Sequence, residues 1–124
     1  MEMRFYRCGT CGQIIAIVKK TGAPVVCCGK PMTELVPGTT DASVEKHVPV
    51  IAREGNRVTV TVGSVEHPMV PEHFIEWIAL KSKFGNQRKA LAPGQEPKAC
   101  FQLCEGDEVE MALAYCNLHS LWKG

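Results

Sequence analysis

Four cysteines within the first 36 residues constrain this chain more than any other feature. Cys8 and Cys11 form a C-x2-C pair, and Cys27 and Cys28 follow as direct neighbours. A segment of this size cannot bury enough apolar surface to fold alone, so it needs a cross-link or a metal. Because side chains alternate along a strand, Cys27 and Cys28 can face one partner only if the backbone turns sharply, and Gly29 follows to permit that turn.

A metal ion is the partner that this cysteine pattern favours. Four converging thiolates make a closed tetrahedral site that suits Zn²⁺ or a single iron, and spacing alone does not choose between them. The alternative is free or disulfide-linked thiols. The chain has seven cysteines, an odd number, and its N-terminal stretch has no apolar signal-like segment. Both facts argue against a disulfide framework and favour a cytoplasmic protein.

Charge and hydropathy exclude some partners. The chain carries 14 basic and 13 acidic side chains, a net charge of +1. We therefore expect no nucleic acid or membrane partner, and no stretch is apolar for long enough to cross a bilayer. Pro37-Gly38 interrupts the segment VPGTTDAS (36–43). This break predicts two domains, residues 1–37 and 38–124.

Alternating apolar residues predict a mainly β fold. RVTVTV (57–62) places its valines on one face and its threonines on the other. Further strands are predicted at 48–54, 73–84, 87–92, 98–104 and 108–116, with turns between them. Short strands of this kind indicate a β-sandwich or barrel, and no long helix is expected. The N-terminal segment predicts two strands around the first cysteine pair.

A second cluster of ligand-type residues lies beyond the N-terminal module. All four histidines of the chain are there: His47, His67, His73 and His119. His47 is expected in a loop before the strand 48–54, and His73 is expected to open the strand 73–84. The segment Cys116-Asn117-Leu118-His119 puts a thiolate and an imidazole within reach of one ion. The residues alone leave open whether all four histidines share that ion.

Several segments resemble a known family. The C-x2-C pair followed by adjacent cysteines resembles desulforedoxin. EKHVP, HPM, EHFIEWI and CNLH resemble segments of desulfoferrodoxin, the two-iron superoxide reductase family. The resemblance covers essentially the whole chain. It implies a small desulforedoxin-like domain followed by an immunoglobulin-like β-sandwich or barrel, two non-haem irons per chain and a homodimer.

The resemblance also implies roles for individual residues. Cys8, Cys11, Cys27 and Cys28 would hold the first iron. His47, His67, His73 and His119 would be equatorial ligands of a second iron, with Cys116 as its axial ligand. Glu45 resembles the carboxylate that binds the ferric iron, and Lys46 resembles the lysine that attracts the anionic substrate. Cys100 and Cys104 match no family ligand, and we interpret them as incidental thiols.

The implied activity is the one-electron reduction of superoxide to hydrogen peroxide. An external donor such as rubredoxin would supply the electron. Whether calcium or zinc also binds is not indicated by the sequence. If the residue patterns are taken without the resemblance, Glu45 and Lys46 form an ordinary solvated charge pair.

Two other functional classes compete with this interpretation. A β-sandwich with C-x2-H after its last strand is typical of a cupredoxin-like electron carrier, although the expected axial methionine is missing after His119. A rubredoxin-like carrier without catalysis is a related alternative. A zinc-ribbon binding module would use the four N-terminal cysteines structurally and would need a basic face, which the balanced charge does not favour.

Overall fold

A computed structural model describes residues 2–124, which divide into two compact units, residues 2–36 and 37–124. Each unit is described by itself. Within the described residues, no helix has the length and apolar character that crossing a membrane requires.

The N-terminal unit consists of five short strands. Strands β1 (Arg4–Arg7), β2 (Ile14–Ile17) and β5 (Thr33–Glu34) form an antiparallel sheet in the order β2-β1-β5. Strands β3 (Val26–Cys27) and β4 (Lys30–Pro31) form a two-stranded hairpin. Few side chains are fully buried here, chiefly Phe5, Cys8 and Met32. An apolar core this small contributes little stability, so we expect a metal bound by the cysteines at its turns to stabilise the unit.

The C-terminal unit is a β-sandwich preceded by one helical turn, α1 (Val44–His47). One sheet has the order β10-β7-β6 and the other has the order β12-β11-β8-β9. The strands are β6 (Pro49–Glu54), β7 (Arg57–Val62), β8 (Ile75–Ser82), β9 (Gly85–Ala90), β10 (Lys98–Gln102), β11 (Val109–Cys116) and β12 (Ser120–Lys123). All neighbouring strands pair antiparallel. The predicted mainly β fold is confirmed.

The inner faces of the two sheets form one hydrophobic core. Alternation places Val58, Val60 and Val62 of β7 inward, where they contact residues of both sheets such as Ile78 and Phe101. The threonines of β7 lie on the opposite face, as the sequence predicted. Burial of these branched side chains supplies the main driving force for folding of this unit.

Polar side chains cover the open edges of the two sheets where β9 and β10 lie. The side chain of Gln87 donates from Nε2 to the Gln102 carbonyl at 3.1 Å, and Lys89 Nζ donates to the Cys100 carbonyl. Lys89 also lies over the Phe101 ring, 5.4 Å from its centroid. Unpaired edge carbonyls are thereby satisfied, and another strand has less opportunity to pair there.

Two sequence predictions about local structure were wrong, and one strand was missed. His47 ends the α1 turn rather than lying in a loop, because the Val48 N–H donates to the Val44 carbonyl at 3.0 Å. His73 does not open a strand: it pairs only with Val70 in an isolated bridge, and β8 begins at Ile75. Strand β12 was not predicted at all.

Truncating the core should test this packing. Phe101 is 1% exposed, whereas Phe84 is 59% exposed. We expect Phe101→Ala to lower the free energy of unfolding by about 3–5 kcal/mol, because it removes contacts and leaves a cavity. The control Phe84→Ala should change it by no more than about 0.5 kcal/mol. Urea unfolding followed by circular dichroism measures both, and equal effects would contradict the assignment of the core.

Candidate metal centres

The four N-terminal cysteines converge as one cluster. Their sulfur atoms all lie within 4.8 Å of one another. Cys8 and Cys11 flank the turn after β1, and Cys27 and Cys28 lie at the tip of the β3–β4 hairpin. Cys11 Sγ is 3.7 Å from Cys27 Sγ, and Cys27 Sγ is 4.0 Å from Cys28 Sγ. Thiolates this close repel each other unless a cation lies between them.

The adjacent cysteines face the cluster together because the chain turns at Cys28 itself. Cys28 has φ of 52°, and Gly29 has φ of 72°. Both are left-handed conformations, which non-glycine residues rarely adopt. The sequence assigned this turn to Gly29 alone, whereas the structure uses Cys28 as well.

Hydrogen bonds and neighbouring sulfurs shift the pKa values of these cysteines in opposite directions. The N–H groups of Cys11 and Thr10 stabilise the Cys8 thiolate and lower its pKa to about 6. Contacts with the sulfurs of Cys11 and Cys8 raise the pKa of Cys27 to about 12. Without a cation the cluster therefore holds thiolate and thiol together. A bound metal would favour four thiolates, which fits this donor set.

The second cluster lies at one end of the sandwich. His47 lies two residues before the start of β6, and His67 lies in the loop that follows β7. His73 lies just before β8, Cys116 ends β11, and His119 precedes β12. Antiparallel pairing brings the start of one strand beside the end of its neighbour. Because β6 pairs with β7, and β11 pairs with both β8 and β12, the strand termini near these residues lie together at one end of each sheet.

Ligand-type atoms of all five residues converge there. One ligand atom from each of His47, His67, His73 and Cys116 lies within 4.8 Å of the others. His47 Nε2 lies 3.2 Å from His67 Nε2 and 3.1 Å from His119 Nδ1. His119 Nδ1 is 3.8 Å from Cys116 Sγ. His119 presents Nδ1 rather than Nε2 to the cluster, and no sequence pattern indicates this, because ring orientation depends on the turn before β12.

The cluster has the properties of a metal site. His73 Nε2 is buried without a hydrogen-bond partner, which is costly unless a metal binds it. Burial, above all, lowers the pKa of His47 and His73, and it lowers the pKa of His67 to about 4. The three rings are therefore neutral near pH 7 and offer lone pairs. Burial raises the pKa of the Cys116 thiol, although the N–H groups of Leu118 and His119 oppose that effect.

Second-sphere contacts orient two of the rings. The Nδ1–H of His47 donates to the Ser43 carbonyl at 2.7 Å, and the Nδ1–H of His67 donates to the Pro68 carbonyl at 2.7 Å. These bonds fix the tautomer that leaves Nε2 free for a metal. Trp122 stacks on His47, with centroids 4.9 Å apart and planes inclined by 27°. Its Nε1–H also donates to the His119 carbonyl at 2.9 Å.

Glu45 and Lys46 lie beside this cluster on the exposed side of α1. The Glu45 carbonyl accepts hydrogen bonds from the Val65 N–H at 2.9 Å and from Ser64 Oγ at 3.2 Å. A Cβ at Gly63 would lie 2.6 Å from the same carbonyl oxygen. The absence of a side chain at Gly63 thus permits the close approach that sets the main chain of this turn.

The remaining two cysteines belong to neither cluster. Cys100 lies on the outer face of β10, where Arg57 Nε donates to its sulfur at 2.9 Å. Cys104 is exposed beyond the end of that strand.

Comparison with known proteins agrees with this arrangement. The family model described as desulfoferrodoxin matches residues 39–124, and the model of its N-terminal domain matches residues 1–35. This chain belongs to the desulfoferrodoxin family. The two clusters match the two iron centres of that family.

Individual relatives extend the match. A desulfoferrodoxin homologue of Archaeoglobus fulgidus is 50% identical over 121 residues, covering 98% of this chain and 95% of the relative. The desulfoferrodoxin of Nitratidesulfovibrio vulgaris is 45% identical, covering 98% and 95%. The crystal structure of a superoxide reductase from Treponema pallidum has a TM-score of 0.85 at 38% identity, covering 100% of this chain and 99% of that one.

Removing metal should affect the two units differently. The N-terminal unit has a small core, so we expect it to lose its fold when a chelator strips the cysteine cluster, and to regain it when Fe²⁺ or Zn²⁺ is returned. The sandwich should keep its core. Amide hydrogen exchange measures the protection of each unit separately. The double variant Cys100→Ser, Cys104→Ser is the control, because it removes two cysteines that lie outside both clusters. A metal-free N-terminal unit with unchanged protection would contradict the prediction.

Proposed function

We propose that this protein reduces superoxide by one electron to hydrogen peroxide at the second cluster. It is an oxidoreductase that acts on superoxide. The observation that supports the proposal most is the convergence of four imidazole nitrogens and one thiol sulfur at the end of the sandwich. Relatives from Pyrococcus horikoshii and Treponema pallidum carry the name superoxide reductase.

The ligand assignments follow the two clusters. The sulfurs of Cys8, Cys11, Cys27 and Cys28 would hold the first iron. The second iron would be held by the side chains of His47, His67, His73, His119 and Cys116. Four imidazoles exceed the two that a cupredoxin-like copper site uses, so the geometry favours the iron assignment over that alternative. When bound there, iron would supply one-electron redox chemistry, with the electron coming from an external donor.

The overall reaction consumes one superoxide, one electron and two protons, and it yields one hydrogen peroxide. The protein side chains would bind and orient the iron and attract the anionic substrate. His47, His67 and Cys116 are buried, whereas His73 and His119 are only partly buried, so small molecules can approach from their side. The N–H groups of Leu118 and His119 interact with the Cys116 sulfur, and a thiolate there would donate electron density to a bound iron and so favour its oxidised state. Water is the expected proton source.

The two exposed charges of α1 have separate roles. Lys46 places a positive charge beside the approach, which raises the local concentration of an anionic substrate. Glu45 lies one residue before it with an exposed carboxylate, whose pKa is lowered mainly by the hydrogen bond with its own backbone N–H and next by one with the Ser43 side chain. The anionic carboxylate would therefore be available as a further ligand of a bound ferric ion.

Several further features complete the proposal. Residues 1–37 and 38–124 act as an electron-handling domain and a catalytic domain. Rubredoxin or a similar carrier supplies the electron, the chain forms a homodimer, and the protein works in the cytoplasm. The similarity to the family supports these assignments, and the seven unbridged cysteines are compatible with a reducing compartment.

Paired cysteine variants test which cluster performs the chemistry. We expect Cys116→Ser to abolish superoxide reduction even where iron is retained, because the electron-donating thiolate is lost. Cys11→Ser should abolish the ferric–sulfur absorption of the first site yet keep most of the activity. Pulse radiolysis measures the rate constant of each variant, and its iron content and peroxide yield are measured alongside. Together these show which cluster reduces superoxide. The proposal fails if Cys116→Ser keeps its iron and the wild-type rate constant, or if Cys11→Ser loses all activity while the second iron stays bound.

Lys46 and Glu45 should separate kinetically although they are neighbours. Lys46→Ala should slow the second-order reaction by on the order of 10-fold and flatten its dependence on ionic strength, because it removes the attracting charge. Glu45→Ala should leave that first step nearly unchanged and alter the ferric absorption spectrum.

Pulse radiolysis at two salt concentrations measures both effects, and Lys123→Ala, in the same unit but outside α1, is the control. A Lys46→Ala variant with the wild-type rate and salt slope would show that the charge does not steer the substrate.

A further inference from the structure

Asn117 lies between two ligand-type residues and bonds to the turn that carries a third. Its main-chain N–H donates to the Phe74 carbonyl at 3.2 Å. Its side-chain Oδ1 accepts from the Phe74 N–H at 3.0 Å, and its Nδ2 donates to the Glu72 carbonyl at 3.1 Å. The side chain thus bonds to the residues on both sides of His73.

The main-chain partners determine the orientation of this amide. Phe74 offers an N–H and Glu72 offers a carbonyl, so only the observed orientation satisfies both. Aspartate could keep the bond with Phe74, but it would place an oxygen against the Glu72 carbonyl. Alanine would lose both side-chain bonds. Asparagine is therefore matched to both neighbours of His73.

His73 needs this support more than the other rings do. Ring hydrogen bonds orient His47 and His67 through Nδ1. Among residues 2–124, the structure gives no such hydrogen bond to the ring of His73, and its Nε2 is buried without a partner. Its main chain bonds to Val70 in both directions, at 3.0 and 3.1 Å. The location of His73 is therefore set through its backbone.

We propose that Asn117 is a positioning residue, which fixes the distance between the His73 imidazole and the Cys116 thiolate. Cys116 directly precedes Asn117, and its sulfur interacts with the N–H groups of Leu118 and His119. One short loop therefore carries the thiolate and also holds the turn of His73. The inference rests on the proposed function, because it takes His73 and Cys116 to be iron ligands. Second-sphere contacts of this kind commonly change metal affinity by about 10- to 100-fold.

The test compares Asn117→Ala, Asn117→Asp and the wild-type holoprotein. The readouts are the rate of iron loss from the second site to a chelator and the midpoint potential of that iron. We expect Asn117→Ala to speed iron loss by at least about 10-fold and to shift the potential, with Asn117→Asp intermediate. The first iron in the same molecules should be lost at the wild-type rate. Asn56→Ala is the matched control, because the amide of Asn56 bonds to exposed Glu105.

Two outcomes would overturn the inference. One is an Asn117→Ala protein with wild-type iron loss and potential. The other is a Phe101→Ala protein, equally destabilised in urea, that shows the same changes, since these would then reflect general loss of stability. If Asn117→Ala does not fold, Asn117→Asp is judged by the same criteria. His73→Ala distinguishes failure of the proposed function from failure of this inference. If His73→Ala leaves the second iron unaltered, the assignment of His73 as a ligand fails. If His73→Ala alters the second iron but the Asn117 variants leave it unaltered, only the positioning role of Asn117 fails.

Discussion

The meeting of neutral imidazoles at one buried point is the constraint on which the C-terminal unit depends. His47 Nε2 lies within about 3.2 Å of two other ring nitrogens, and burial keeps these rings from being protonated. Lone pairs that face one another at this distance are unfavourable unless a cation attracts them all. The sandwich supplies the rigid frame, because every contributing residue lies at or beside a strand end. Its core of packed valines, isoleucines and Phe101 prevents these ends from moving apart.

The two clusters relate to folding in different ways. In the N-terminal unit the cysteines lie on turns around a very small core, so metal binding and folding are coupled. In the C-terminal unit most of the core comes from residues outside the cluster, although Cys116 belongs to both. Four sulfurs form a closed donor set of the kind that suits a structural or electron-carrying ion, whereas imidazoles with one sulfur form a mixed donor set. The two clusters therefore differ both in donor chemistry and in how much apolar core surrounds them.

Local patterns in the sequence predicted what depends on neighbouring residues. Valine–threonine alternation located β7, and the spacing of Cys8 and Cys11 located the first cluster. Features that depend on partners distant in sequence could not be predicted in this way. Strand β12 has only four residues and exists because it pairs with β11. The hydrogen bond between the Asn117 side chain and the Phe74 N–H joins residues 43 positions apart in the chain. The desulfoferrodoxin resemblance named the ligand-type residues, but it gave no information on the contacts that hold them.

The α1 turn joins one buried ring to two exposed charged side chains. Its last residue, His47, is buried against Trp122, while Glu45 and Lys46 extend into solvent. The Glu45 carbonyl is bound by Ser64 and Val65, and Gly63 packs so closely that no larger residue fits without displacement. The backbone of the turn is therefore held on one side by the buried ring and on the other by three consecutive residues. The turn therefore keeps both charged side chains exposed to solvent beside the cluster, while the ring of His47 stays buried within it.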